Sequence, residues 1–72
     1  MLIGKINKSN RERLMVTVLE SKGTKVVDLR VYSVMDDGEL MPTPSGVSLS
    51  LEQVEPIMGF LKEAKKRVSG NE

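Results

Sequence analysis

Cysteine, histidine and tryptophan are absent from this sequence, and tyrosine and phenylalanine occur once each, as Tyr32 and Phe60. Without cysteine or histidine there is no disulfide framework, no thiolate or imidazole metal site and no histidine-based acid-base chemistry. No apolar run approaches the roughly 18 residues needed to cross a bilayer, and the first residues lack an apolar signal segment, so a cytoplasmic protein away from membranes is expected. Glycine-rich phosphate loops, paired acid-base groups and nucleophiles with a neighbouring base are also missing. An enzyme is therefore not expected, and neither is a cofactor. Asp36-Asp37-Gly38 offers one carboxylate pair followed by glycine, which is the composition of a turn; calcium ligation needs several more oxygens at set spacing. No metal site is expected.

What the chain does have is an uneven distribution of charge. The 72 residues carry a net +1, but residues 1 to 30 hold seven basic and three acidic side chains, residues 31 to 60 hold five acidic and no basic ones, and residues 61 to 72 hold four basic and two acidic ones. A cationic first part is what an anion-binding sheet would show, although solvated surfaces also acquire such asymmetry. Length adds a second constraint. A single domain of this size buries only about 60 to 65% of its unfolded surface. With metal and disulfide staples excluded, the chain needs unusually good packing or a second copy of itself, and the second is favoured.

Leu14, Val16 and Val18 alternate with Met15, Thr17 and Leu19, the period of two that marks a strand. The stretch Lys25 to Met35 repeats it, with Val27, Leu29 and Val31 on one side and Asp28, Arg30 and Tyr32 on a side expected to be polar and wet. Between these runs, Ser21-Lys22-Gly23-Thr24 reads as a hairpin turn. Asp36-Asp37-Gly38 gives a second reversal, followed by two short strands, Glu39-Leu40-Met41 and Gly46-Val47-Ser48-Leu49, on either side of a proline loop from Met41 to Gly46. Leu2 to Ile6 is a further candidate edge strand.

Ser50 begins a helix. It forms a capping box with Gln53, and Leu49 and Val54 take the positions of a hydrophobic staple. Val54, Ile57, Met58, Leu61, Ala64 and Val68 recur at intervals of three and four, forming one apolar stripe. Phe60 lies at its edge, where packing is the expected role. Pro56 removes a backbone donor inside this helix, so a bend or a loosened first turn is expected. Lys62, Lys65, Lys66 and Arg67 gather near the end, where they suit the helix dipole. One domain results: a poorly defined segment over 1–12, a sheet over 13–49, a helix over 50–68 and a tail over 69–72.

Taken together, Lys22 to Tyr32, Asp37 to Pro42, Gly46 to Leu49 and Glu52-Gln53 resemble the DNA-binding domain of the transcriptional coactivators called positive cofactor four. The order and spacing agree without a gap. The resemblance implies an α+β fold in which a four-stranded antiparallel curved sheet precedes one C-terminal amphipathic helix. It also implies a homodimer whose sheets bind single strands with little sequence preference. The matching cationic contacts are Lys22 and Arg30, with Lys25, Arg11 and Arg13 as neighbours, acting by phosphate neutralisation and counterion release. For Lys22 and Lys25 the alternative is a solubilising hairpin tip; for Arg30 it is a cross-strand pair with a carboxylate such as Glu20. The dimer seam is expected along Val54, Ile57, Met58, Leu61 and Val68.

The chain departs from that family at two points that bear on affinity. Ser21 and Ser33 stand where aromatic side chains would stack on bases, a loss of roughly 2 to 6 kcal/mol for the pair. Met41, Pro44 and Ser45 stand where basic residues are usual. Two functions follow as expectations. One is a homodimer that binds single-stranded DNA, with RNA as a second ligand, and acts with the transcription machinery as a coactivator or regulator, at the nucleoid if the source is bacterial. The other is a dimeric protein-interaction module that keeps the scaffold and binds nucleic acid weakly. On the first, replacing Lys22 and Arg30 by alanine should weaken binding with little change in the thermal midpoint.

Overall fold

The computed structural model describes residues 1–70. Four strands, β1 (Leu2–Ser9), β2 (Glu12–Ser21), β3 (Thr24–Val34) and β4 (Leu40–Leu49), precede a single helix, α1 (Leu51–Val68). The strands pair antiparallel in sequence order, making one open curved sheet with β2 and β3 at its centre. The expected fold class is thus the one observed.

Turn chemistry sets the register. β2 and β3 pair without interruption from Glu12 opposite Ser33 to Ser21 opposite Thr24. Only Lys22 and Gly23 remain to turn the chain, and both have positive φ, 53° and 79°. That is the signature of the two-residue turn whose twist matches that of the strands. At the next reversal Gly38 takes φ 89°. The Asp37 carboxylate there accepts a hydrogen bond from the Glu39 amide at 3.0 Å. Asp36-Asp37-Gly38 is a turn, as its composition implies.

Two sequence-based boundaries are corrected. Residues 1–12, expected to be poorly defined beyond a candidate edge strand over Leu2 to Ile6, supply the whole of β1, whose pairing with β2 runs from Leu2 opposite Thr17 to Ser9 opposite Glu12. Its polar second half, Asn7-Lys8-Ser9, hides the alternation because an edge strand exposes much of its length to water. The proline loop is likewise strand. β4 is continuous, and Thr43, Pro44 and Ser45 bulge out opposite Val31, between the Tyr32–Pro42 and Arg30–Gly46 pairs. Prolines are tolerated here because an edge strand has one side with no ladder to donate to. Thr43 Oγ1 donates to the Val31 carbonyl at 2.7 Å and accepts from the Ser45 amide at 3.2 Å, which fixes the bulge.

The helix starts as its cap implies. The Ser50 amide donates to Gln53 Oε1 at 2.9 Å, and the Gln53 amide donates back to the Ser50 carbonyl at 2.9 Å. α1 stays helical through Pro56 and ends at Ser69, with Gly70 beyond it at φ 80°. No described helix is long and apolar enough to cross a membrane.

Burial is distributed differently from the sequence-based expectation. The face of β3 expected to be wet carries Asp28, which with Met15 and Thr17 on the same face is among the three buried side chains described. The opposite face, with Leu14, Val16, Val18, Val27, Leu29 and Val31, is only half-buried. The cause is the helix, which touches only β3 and β4 and buries none of its own residues; Val54 and Ile57 are half-covered, and Leu51, Met58, Phe60, Leu61 and Val68 are exposed. A radius of gyration of 14.3 Å exceeds the about 11 Å of a compact chain of this length.

Candidate nucleic-acid interface

Strand alternation and register decide which cations share a surface. Because β2 and β3 pair in unbroken register, Arg13, Met15 and Thr17 lie on one face with Tyr32, Arg30 and Asp28, their direct partners. Lys5 joins that face beside Met15, and Ser48 joins it beside Asp28. Lys25, paired with Glu20, falls on the other face. Lys22 sits at the hairpin tip, and Arg11 lies in the turn between β1 and β2, at the opposite end of β2, about 30 Å away by strand rise. Of the five cations singled out from sequence, the structure brings only Arg13 and Arg30 together on one face. It adds Lys5, which period-two reading of the polar N-terminal stretch could have placed there.

Arg30 is the most constrained of the set. Its Nε donates to Asp28 Oδ2 at 3.0 Å and its Nη2 to Asp28 Oδ1 at 3.0 Å, the side-on two-bond geometry of a guanidinium and a carboxylate. Nη1 donates to the Thr43 carbonyl in the β4 bulge at 2.8 Å. Ser48 Oγ completes the group by donating to Asp28 Oδ1 at 2.8 Å. The Arg30 partner is therefore Asp28, two residues along the same strand, and not Glu20 across the hairpin. The spacing of two was the available signal, since it places both side chains on one face. The hydrogen bonds from Arg30 hold the Asp28 carboxyl below its ordinary range against the opposing effect of burial, with help from Ser48. The same bonds raise the Arg30 guanidinium above its own.

Arg30 also depends on what lies beside it. A Cβ on Gly46 would stand 2.7 Å from the Leu29 carbonyl oxygen, and 2.9 Å from both Arg30 Cα and the guanidinium carbon. Backbone on one side and a pinned guanidinium on the other leave no room to shift. Gly46→Ala should lower stability by about 1 to 3 kcal/mol, the usual cost of overpacking, read as a fall in Tm by circular dichroism. An unchanged Tm would mean that β4 lies less close to β3 than described.

The other candidates are held more loosely. Arg11 Nη2 pairs with Asp36 at 2.8 Å across two turns, with both side chains well exposed, so the pair contributes little. Arg13 Nη1 donates to the carbonyls of Ser9 and Glu12, both at 2.9 Å, and the side chain forms no ion pair among the described residues. The side chains of Lys22 and Lys25 form no ion pair among the described residues. Ser21 and Ser33 fall on opposite faces, Ser21 with the Arg13 side and Ser33 beside Glu12. They could not supply one continuous stacking surface within a single chain.

No curated protein matches the sequence significantly. The solved structures do: a PC4 homologue from Burkholderia pseudomallei in an orthorhombic crystal form superposes with a TM-score of 0.87 at 27% identity, covering 92% of this chain and 89% of that one. The same homologue in a tetragonal form gives 0.84 at 28% identity, covering 90% and 96%. The sequence model of Transcriptional Coactivator p15 (PC4) matches residues 6–59, which takes in the second half of β1, all of β2, β3 and β4, and the first half of α1. A match across that share of the chain, together with the close superposition on a solved PC4 homologue, places the protein in the PC4 family of transcriptional coactivators.

Proposed function

We propose that this chain works as a homodimer that binds single-stranded nucleic acid, DNA in the first place, with little sequence preference, and acts beside the transcription machinery in the cytoplasm. One observation carries the binding part: a single sheet face presents Lys5, Arg13, Arg30 and Tyr32 across three strands, while the middle of the opposite face on β2 and β3 is built from valine and leucine. Cations on a strand surface meet phosphates without reading base edges, which gives affinity without sequence preference.

Surface area supports the dimer. The chain exposes 5860 Å², whereas a compact monomer of its mass exposes about 4,450 Å². The excess, about 1,400 Å², is more than the roughly 800 Å² that each partner buries in a standard interface. Exposed apolar side chains line the α1 stripe, namely Met58, Leu61 and Val68. The second copy is the occupant that a stripe repeated on every chain would meet by symmetry.

Binding should be salt-dependent. With four to six phosphates neutralised, log K should fall against log salt with a slope of about −3 to −4 for single strands. Fluorescence titrations of single-stranded and double-stranded oligonucleotides at two salt concentrations measure this, and a flat response rejects the proposal. Lys22→Ala should weaken binding, flatten the slope by about 0.7, and leave Tm unchanged, since that side chain has no ionic partner among the described residues.

A second reading has its own support. Serines at positions 21 and 33 remove the stacking groups, and Arg11 and Arg30 are already paired with carboxylates. A dimer that docks proteins and holds nucleic acid weakly would then retain no oligonucleotide at moderate salt.

A further inference from the structure

We propose that Asp28 is a positioning residue for phosphate contact: it holds the Arg30 guanidinium side-on, leaving two N–H donors for the nucleic-acid backbone while cancelling the net charge of that group. The inference rests on the nucleic-acid reading above and gives Arg30 a role distinct from that of the free lysines.

A guanidinium has five N–H donors in a rigid plane. Three are used within the protein, two by Asp28 and one by the Thr43 carbonyl. One remains on each terminal nitrogen. The Arg30 side chain is 24% exposed and that of Asp28 only 3%, so water and ligands reach the guanidinium and not its carboxylate. The group cannot swing away easily, because Thr43 is fixed by its own hydrogen bond to the Val31 carbonyl and Gly46 fits closely beside the guanidinium carbon. An arginine ordered before its ligand arrives loses less freedom on binding than one on a mobile stem.

The charge consequence is specific. A paired arginine and aspartate carry no net charge together, so Arg30 contributes direction and hydrogen bonds. Counterion release is left to Lys5, Arg13 and Lys22. This separates geometry from charge in sign. Asp28→Asn adds one positive charge to the face. If charge alone governs binding, affinity for a single strand should rise and the salt slope should steepen by about 0.7. If Asp28 positions Arg30, affinity should fall despite the added charge.

The test is a fluorescence anisotropy titration of labelled oligothymidylate with wild type, Asp28→Asn and Arg30→Lys, each well below its own Tm, alongside the ¹⁵N-resolved Arg30 Nε–H signal of the free proteins. The expected result is a loss of about tenfold for Asp28→Asn, the size of one charge-assisted hydrogen bond. Arg30→Lys should show a similar loss with the salt slope unchanged, because it keeps the charge and loses the planar fork. The Nε–H should be protected from exchange in wild type and unprotected in Asp28→Asn. Should Asp28→Asn fail to fold, Arg30→Lys decides alone. Wild-type or tighter binding by Asp28→Asn, or by Arg30→Lys in that event, overturns the positioning role while leaving the nucleic-acid reading intact. A wild type that ignores the oligonucleotide while its Nε–H stays protected overturns both, and the pair is then purely structural.

Discussion

Leu61→Glu should break the proposed homodimer, of about twice the 8.0 kDa chain mass, into an unstable monomer. Leu61 lies mid-stripe on α1 and is 59% exposed in the single chain, so the protomer itself does not oppose the substitution. In a two-fold interface the same change occurs twice, once from each side. At about 2 kcal/mol or more per central position, the two together raise the dissociation constant by roughly a thousandfold. Folding should be lost with association, because Met15 is the one buried hydrophobic side chain among the described residues. For the same reason the wild-type Tm should rise with protein concentration. Sedimentation velocity and thermal melts at several concentrations check both points. A wild type sedimenting as a compact single chain, or a Leu61→Glu variant that stays dimeric, would place the seam elsewhere.

Asp28→Ala should give the largest loss of stability available from a polar residue here. Asp28 is 2% exposed and accepts three hydrogen bonds, two from Arg30 and one from Ser48. Truncation strands those donors. Because water reaches Arg30, the cost falls below that of breaking a fully buried pair, at about 2 to 3 kcal/mol. For a domain of this size that corresponds to a Tm lower by roughly 10 to 20 °C. The pH dependence has a definite sign. The Asp28 carboxyl titrates lower folded than unfolded, so its stabilisation is complete above its unfolded value and is lost as pH falls through the lower folded one. The Tm gap between wild type and Asp28→Ala should therefore be constant near neutrality and narrow below about pH 4. A gap that widened in acid would show that the carboxylate is not stabilised in the fold.

The same pair shows why site roles are harder to read than elements. Asp28-Leu29-Arg30 is visible in the sequence, and strand alternation puts its two charges on one face. What alternation cannot say is whether they reach for each other or for a ligand. That depends on the β4 bulge, which delivers the Thr43 carbonyl to Nη1, and on Ser48, twenty residues from Asp28, which fills out the carboxylate. The structure consequently qualifies one expectation: Arg30→Ala should lower Tm as well as binding, whereas Lys22→Ala should affect binding alone. The grouping of cations was similarly open. Lys22 and Lys25 are neighbours in sequence, yet the turn places one at the tip and the other on the face opposite Arg30.

Local chemistry determined the elements. Alternating β-branched residues, Lys22-Gly23 and Asp37-Gly38 at the reversals, and Ser50 with Gln53 at the helix start each act within a few residues, so the sequence alone was enough to place β2, β3, both turns and α1. Family membership was legible for the same reason, as an ordered set of such local signals. The tertiary structure alone decided that the edge strand suggested over residues 2–6 continues to Ser9 and that the proline stretch is strand, because an edge strand is specified by its partner and not by its own composition. It also decided that the polar face buries the carboxylate of an ion pair while the apolar face stays half-covered and most of the helix stripe exposed in one chain. Burial depends on what packs across a surface, and no segment of a sequence carries that information by itself.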